Sequence, residues 1–399
     1  MTLQSTDVVI AGGGVVGSAT AYYLAASQTA AAGRIVVVEK DMSYRNSSTA
    51  RSAGGLRQQF STPENIAMSL ATLHLVRNLT DVFGPDADVA FREQGYLILA
   101  SNEGRAILEH NVALQRSMGA DIVLYGDEAL LERFPWLAGD GLSAGSFGQS
   151  GEGWLDPASL MALFRKAAQV SGVRYVQDTV VGIERNGEVR AAMLASGGTL
   201  ACGAFVNAAG AAAGRVAALA GLALPVEPRK RYVYVVDCRE APETLHAAPL
   251  TVDTSGVWFR PEGRFFLTGR SPAEHEEPPA DPGLNPGFDD VDHGFFETAV
   301  WPLLAARVPA FEALKVVNAW AGFYDFNTLD HNAILGPHPH VRNFYFANGF
   351  SGHGVQQAAA AGRAIAELIV HGRFVSLDLT RFGYDRIVRR APLRELNVI

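Results

Sequence analysis

Two stretches, Asp7-Val8-Val9-Ile10-Ala11-Gly12-Gly13-Gly14-Val15-Val16-Gly17 and Arg34-Ile35-Val36-Val37-Val38-Glu39, decide the fold. The first is a short β-branched run that breaks at three glycines and passes into an Ala-rich segment through Ala26, which reads as strand, glycine turn and helix. The second is a strand almost wholly apolar, as a parallel strand buried on both faces must be, and it closes on an acid. One complete βαβ unit therefore fills the first 40 residues. Gly12, Gly14 and Gly17 form G-x-G-x-x-G, and Glu39 stands about 20 residues on, where a dinucleotide fingerprint carries its acid. Glycines there permit a tight turn, close approach of the backbone to a pyrophosphate and close helix packing. The helix N-terminus supplies a positive dipole, and Glu39 accepts from a ribose hydroxyl. An acid at this position disfavours a 2′-phosphate, and the fingerprint does not separate NAD from FAD.

Working outward, a chain of 399 residues is long enough for two or three domains. With 48% apolar and 19% charged residues it has the material for large cores and lies far from disordered compositions. A formal charge of −8 offers no cationic surface for phosphates, so nucleic acid is not an expected partner. Cys202 and Cys238 stand far apart without CxxC spacing, which argues against a disulfide scaffold or a metal site and for reduced thiols. Met1 to Asp7 is short and has no basic residue, so no targeting peptide is expected and the protein is placed in the cytoplasm. Apolar runs are broken well before the roughly 18 residues of a spanning helix, so no transmembrane segment is expected.

Thr62-Pro63-Glu64 announces a helix, with an N-cap, an N1 proline and an early acid, whose apolar stripe should face the sheet. From about 85 to 150 the character changes. Gly95 to Leu99 is a strand, whereas Phe134-Pro135-Trp136 and Ser146-Phe147-Gly148 read as irregular connections. Asp156-Pro157 starts a helix, Val173 to Val176 is a strand, and Asn186-Gly187 marks a hairpin. Phe205 to Gly210 repeats the pattern of an apolar strand entering a small-residue turn. Between 226 and 320, aromatics and strand formers predict an antiparallel sheet, and Glu274 to Pro286, crowded with Pro and Glu, predicts a surface loop. Asn343 to Asn348 is a strand, followed by Gly349-Phe350-Ser351-Gly352-His353-Gly354 and a helix through Val370. The expected architecture is α/β, α+β overall. A Rossmann-type dinucleotide lobe, discontinuous over 1–85, 150–225 and 321–399, carries a second lobe of 86–149 and 226–320 built on a mostly antiparallel sheet.

The segment Ser47-Ser48-Thr49-Ala50-Arg51-Ser52-Ala53-Gly54-Gly55-Leu56-Arg57 is polar, small and long enough to lie along an extended cofactor. With it, and with Asn207-Ala208-Ala209-Gly210 and Gly349 to Gly354, the chain resembles the FAD-dependent D-amino-acid oxidase and sarcosine oxidase superfamily over nearly its whole length. Its C-terminal quarter, through Trp320-Ala321-Gly322-Phe323-Tyr324-Asp325, Asp330-His331-Asn332, Gly336-Pro337-His338-Pro339 and Gly349 to Gln357, is most similar to the FAD-dependent oxidoreductase-domain proteins associated with mitochondrial complex I assembly and their bacterial sarcosine-oxidase-like relatives. The resemblance implies FAD as cofactor. It is held by Gly12, Gly14, Val16, Gly17, Glu39 and Lys40; by Ser48, Thr49, Arg51, Ser52, Gly54, Gly55 and Leu56; by Val180, Ala209 and Gly210; and by Gly322, Gly349, Gly352, His353, Gly354 and Gln356. Gly349, Gly352 and Gly354 let the chain bend under a flat ring, and the following helix points its positive end there. His353, between two glycines, has little neighbouring bulk, and touches ring or ribityl chain or else caps locally.

Covalent members carry a histidine where this chain has Arg51, or a cysteine where it has Gly322, so noncovalent FAD is expected. Arg57 matches the arginine that holds the substrate carboxylate. Tyr324 occupies the place of a second anchoring arginine of glycine-oxidase-like members, and shapes the pocket or offers a hydroxyl. Leu267 and Gln356 stand where sarcosine oxidases have lysines, which favours a dehydrogenase over a fast oxidase. The resemblance thus implies oxidation of the C–N bond of an amino acid or N-alkyl amino acid by hydride transfer to flavin N5. The partners are a small carboxylate-bearing amine and a protein or quinone electron acceptor, and no metal is called for. A non-catalytic flavin-binding assembly protein and a 2-hydroxy-acid dehydrogenase on the same fold remain the alternatives.

Overall fold

The computed structural model describes residues 4–27, 34–272, 277 and 290–396. Apart from Glu277, the expected surface loop from Glu274 to Pro286 lies outside the described residues. The first sheet orders its strands in space as Ile334–Pro337, Phe344–Asn348, Thr199–Asn207, Gln4–Ala11, Ile35–Glu39 and Arg174–Gln177. Every pair is parallel except the first, which is antiparallel. Alternation along Gln4–Ala11 shows why both faces are apolar. Val8 and Ile10 enter one core with Leu24, Ile35 and Ile365, while Val9 and Ala11 enter another with Val36, Phe205 and Val216. Helices Val15–Ser27, Pro157–Val170 and Gly354–His371 cover the first face. The approach of Gly354–His371 to Val15–Ser27 is close, since a Cβ on Gly362 would sit 2.7 Å from the backbone of Ala19. The hairpin Val180–Asn186/Glu188–Leu194 turns at Gly187 and pairs with the first half of Thr199–Asn207, and Phe344–Asn348 pairs with the second half.

The second sheet runs Lys315–Asn327, Val226–Asp237, Phe265–Gly269, Trp258–Glu262, Leu250–Val252, Tyr96–Ala100, Ala144–Gly148 and Ile122–Gly126. It is antiparallel but for the pair Leu250–Val252 and Tyr96–Ala100. Two expectations need correction here. Ser146-Phe147-Gly148, read as irregular, belongs to a buried strand between two others, so sheet pairing overrides a glycine-rich local composition. Glycine has a packing reason, because a Cβ on Gly145 would lie 2.6 Å from Leu130 of the covering helix Asp127–Arg133. Helix Pro63–Arg77 starts where expected, although Thr62 makes no side-chain capping bond; its main packing partner is helix Gly354–His371 and not the sheet.

Asp330 ties the C-terminal segment to this frame. Its fully buried carboxylate receives Arg386 Nε at 2.7 Å and Nη2 at 3.2 Å, Asn327 Nδ2 at 2.8 Å and the Leu393 N–H at 2.9 Å. Removing one partner of a buried pair strands the other charge. Asp330→Ala should therefore lose about 3–5 kcal/mol in urea unfolding, at the scale of broken buried pairs, and a loss under about 1 kcal/mol would show the pair to be dispensable.

Candidate active site

Parallel pairing sets the site. Ala11 lies opposite both Val38 and Asn207, and Asn207 opposite Phe346, so four strands end together and release their turns at one edge. A cavity of about 240 Å³ opens there. Gly12, Gly14 and Val16 line it from the first turn, Glu39 and Lys40 from the second strand end, and Ala209 and Gly210 from the third. Val180, Ser48, Thr49 and Ser52 close its walls, and Tyr324, Gly352 and Gly354 bound it from the C-terminal part.

The glycines divide their work. Gly12 has φ +101°, and a Cβ on it would meet the Ala208 carbonyl oxygen at 2.3 Å; one on Gly17 would meet the Gly12 oxygen at 2.0 Å. These two let strand, turn and helix close together, while Gly14 borders the cavity. Glu39 accepts the N–H of Gly13 at 2.8 Å and of Asp41 at 3.0 Å, which fixes its carboxylate at the cavity wall. Thr49 Oγ1 takes the Val15 N–H at 3.1 Å. Helices Val15–Ser27 and Gly354–His371 both begin at the cavity, and neither first turn carries an acid, so two positive helix ends face it.

A second, smaller cavity of about 120 Å³ shares Ser48, Ser52, Phe323, Tyr324, Gly352 and Val355 with the first. Arg51, Gly54, Gly55, Arg57, Gly322, His353 and Gln356 line it. Leu56, Gly17 and Gly349 line neither: Leu56 is in a hydrophobic core, and Gly349 packs on Val226 and Asn327. Gly352, at φ +102°, lies against Tyr324, whose ring would be 2.6 Å from a Cβ there. A Cβ on Gly322 would be 3.0 Å from that of Arg51, so these two positions face each other, and neither holds a nucleophile.

Arg57 is buried, its guanidinium 4.7 Å from the Phe60 ring centre and 5.5 Å from that of Tyr96. Its backbone N–H donates to Gln356 Oε1 at 2.9 Å, and Nη2 stands 3.2 Å from His353 Nε2. An arginine can only donate, so His353 Nε2 is the acceptor and the ring is neutral. Burial, and then the Arg57 and His331 charges, push the His353 pKa down to about 3. The expectation that His353 lacks bulky neighbours is corrected: it is buried, edge-on to Phe60 at 5.1 Å.

The acids beside the site gave no chemical signal in the sequence. Asp325 lines the first cavity, and its Oδ2 accepts the N–H of Gly349 at 2.8 Å and Phe350 at 3.2 Å; burial lifts its pKa to about 6 against those bonds. Glu152 is wholly buried, taking the Gln58 N–H at 2.5 Å and Gln59 Nε2 at 2.7 Å, and burial raises it to about 7 against those bonds and the Arg57 charge. Arg231, Trp258 and Arg270 line the second cavity from the second sheet and also went unread, though a charge among the aromatics at Arg231-Tyr232-Val233-Tyr234 was a signal that one face covers something polar.

The model of the family described as FAD dependent oxidoreductase, DAO, matches residues 7–368. The chain is 43% identical over 402 residues to FAD-dependent oxidoreductase domain-containing protein 1 of Xenopus laevis, covering 92% of this chain and 79% of that protein. It is 28% identical over 362 residues to glycine oxidase of Geobacillus kaustophilus, covering 88% and 90%. Among solved structures, L-proline dehydrogenase from P. horikoshii superposes with a TM-score of 0.82 at 25% identity, over 98% of this chain and 100% of that one.

The folded protein keeps a proton on Glu152 up to about pH 7, whereas the unfolded chain releases it near 4.5. Its contribution to stability is therefore present below about 4.5 and lost as pH rises through 7. Glu152→Gln should show a smaller fall in urea stability between pH 5 and pH 8 than the unsubstituted protein. An identical fall would return Glu152 to ordinary acidity.

Proposed function

Because the chain belongs to the DAO family of FAD-dependent oxidoreductases, we propose that it oxidises the C–N bond of a small amino acid or N-alkyl amino acid. Bound FAD would supply the two-electron acceptor for a hydride from the carbon attached to nitrogen, and water would hydrolyse the resulting imine to a carbonyl compound and an amine. The residues present suit that cofactor: Glu39 is fixed for a ribose diol, Gly14 and the N-terminus of helix Val15–Ser27 suit a pyrophosphate, and the small residues at Gly352 and Gly354, where helix Gly354–His371 begins, leave room for a flat ring.

One observation carries the substrate reading. Arg57 is a buried, permanently charged fork between two aromatic faces, at the small cavity that opens onto the cofactor cleft. A carboxylate suits that fork in shape and charge, and Gln356 and His353 hold it in place from backbone and side chain. Phe60 and Tyr96 keep water from it, and Tyr324 forms the wall between the cavities. The names of the glycine oxidase and L-proline dehydrogenase relatives support an amino-acid substrate.

Among the described residues no lysine lines the second cavity, and Leu267 is buried between Val235 and Arg260 on strand Phe265–Gly269. This supports a dehydrogenase that passes electrons to a protein or quinone in preference to oxygen. Among the described residues no helix is long and apolar enough to cross a membrane. A cytoplasmic setting suits Cys202 and Cys238, which are free and buried.

Arg57→Met should retain the visible flavin spectrum yet require about 100-fold more substrate for anaerobic bleaching, the scale of losing a buried charged anchor. Unchanged substrate dependence would remove Arg57 from the reaction. The FAD is held noncovalently in this reading, since Arg51 and Gly322 offer no attachment. Acid precipitation should therefore leave the yellow colour in the supernatant, and colour in the pellet would contradict it.

A further inference from the structure

A chain of formal charge −8 gathers four arginines, Arg51, Arg57, Arg231 and Arg270, around the second cavity, while no aspartate, glutamate or lysine is among its described lining residues. One carboxylate occupies one arginine fork. Arg51 spends Nε on the Arg45 carbonyl at 3.1 Å and Nη2 on Asn46 Oδ1 at 2.9 Å, so it secures its own loop. Arg231 and Arg270 come instead from the second sheet.

Arg231 is 9% exposed and lies 5.2 Å over the Tyr324 ring. Its Nη1 meets the Lys230 carbonyl at 2.9 Å and the Glu277 carboxylate, and its Nε is buried without a hydrogen-bond partner among the described residues. Arg270 follows the neighbouring strand Phe265–Gly269 and donates Nε to the Ser255 carbonyl at 3.0 Å. Arg57 contacts His353, and Arg231 lies over the Tyr324 ring, which packs on Gly352 beside that histidine. Burying an arginine costs desolvation; Glu277 offsets it at Nη1 and shows that this guanidinium takes a carboxylate, while Nε is left for a further acceptor.

Resting on the reading of Arg57 as anchor of the α-carboxylate, we propose that Arg231 and Arg270 form a second anion subsite. The substrate is then an amine bearing two carboxylates, an N-alkyl acidic amino acid or an N-carboxyalkyl neutral amino acid. Its reacting C–H lies between the two anchors, where the cavity joins the cofactor cleft at Tyr324 and Gly352. Two fixed ends orient a small molecule more closely than one.

The test titrates the holoenzyme anaerobically with two acids that cannot be oxidised, propionate and succinate, and follows the shift of the flavin visible band. Succinate should bind at least tenfold more tightly. Arg231→Met and Arg270→Met should each bring the ratio below threefold, whereas Arg57→Met should weaken both acids together. Arg231→Lys, which keeps the charge and loses the fork, serves where the methionine variant does not fold, and should also lower the ratio. Equal binding of the two acids overturns the second subsite and leaves the Arg57 anchor standing. Failure of both acids to bind overturns the anchor and this inference with it. A succinate preference that survives substitution of both Arg231 and Arg270 overturns their assignment.

Discussion

Parallel strand pairing is the constraint on which the rest depends. Antiparallel neighbours send their turns to opposite edges of a sheet, but parallel neighbours must release them at the same edge. Here Gln4–Ala11, Ile35–Glu39, Thr199–Asn207 and Phe344–Asn348 are parallel and in step, so the turns at Gly12, Lys40, Ala208 and Gly349 meet although they are far apart in the chain. The crevice is a consequence of register, and close packing of Gly12 on the Ala208 carbonyl keeps its floor tight.

Strand Lys315–Asn327 then joins the second sheet to that crevice by way of polar side chains. Asp325 holds the N–H groups of Gly349 and Phe350, the Asn327 N–H donates to Ser351 Oγ at 2.9 Å, and Asn327 Nδ2 reaches Asp330. The loop Gly349–Gly354 is thus gripped from one sheet while it follows a strand of the other. Ser351 sits at φ +50°, a conformation a non-glycine residue adopts only where its surroundings enforce it. The bonds to Asp325 and Asn327 do so.

Elements set by local composition were readable in the sequence. Ile35–Glu39 is apolar at every position before its acid, and Gln4–Ala11 runs into its glycines, so both are visible in one short window. What escaped depends on partners distant in the chain. Ser146 to Gly148 has a loop's composition and becomes a strand because two strands flank it. Helix Pro63–Arg77 announced its start but not its partner, since an apolar stripe says that something covers it and not what. Glycine motifs were legible because each sits in a recognisable local pattern, and Arg57 was singled out through the family resemblance and lines the second cavity. Arg231 and Arg270 were not, for nothing in their own segments tells that they share a cavity with a residue about 170 and about 210 positions earlier.

The pairing of Arg57 with His353 shows how a buried cation is held without losing its charge to a neighbour. A carboxylate at position 353 would bond the guanidinium more strongly but would neutralise it. A protonated histidine would repel it. A neutral imidazole kept so by burial and by Arg57 itself accepts one hydrogen bond at Nε2 and leaves the net positive charge intact. Glu152 lies close enough for Arg57 to lower its pKa, yet burial outweighs that attraction and lifts the acid to about 7, so at neutral pH it is not a full counter-charge either. Phe60 supplies a ring face, and Tyr96 a ring face together with a hydroxyl that accepts from Arg57, which stabilise a cation without discharging it. His353, Phe60 and Tyr96 therefore hold Arg57, and Glu152 does not fully neutralise it, so its charge is kept at the cavity wall.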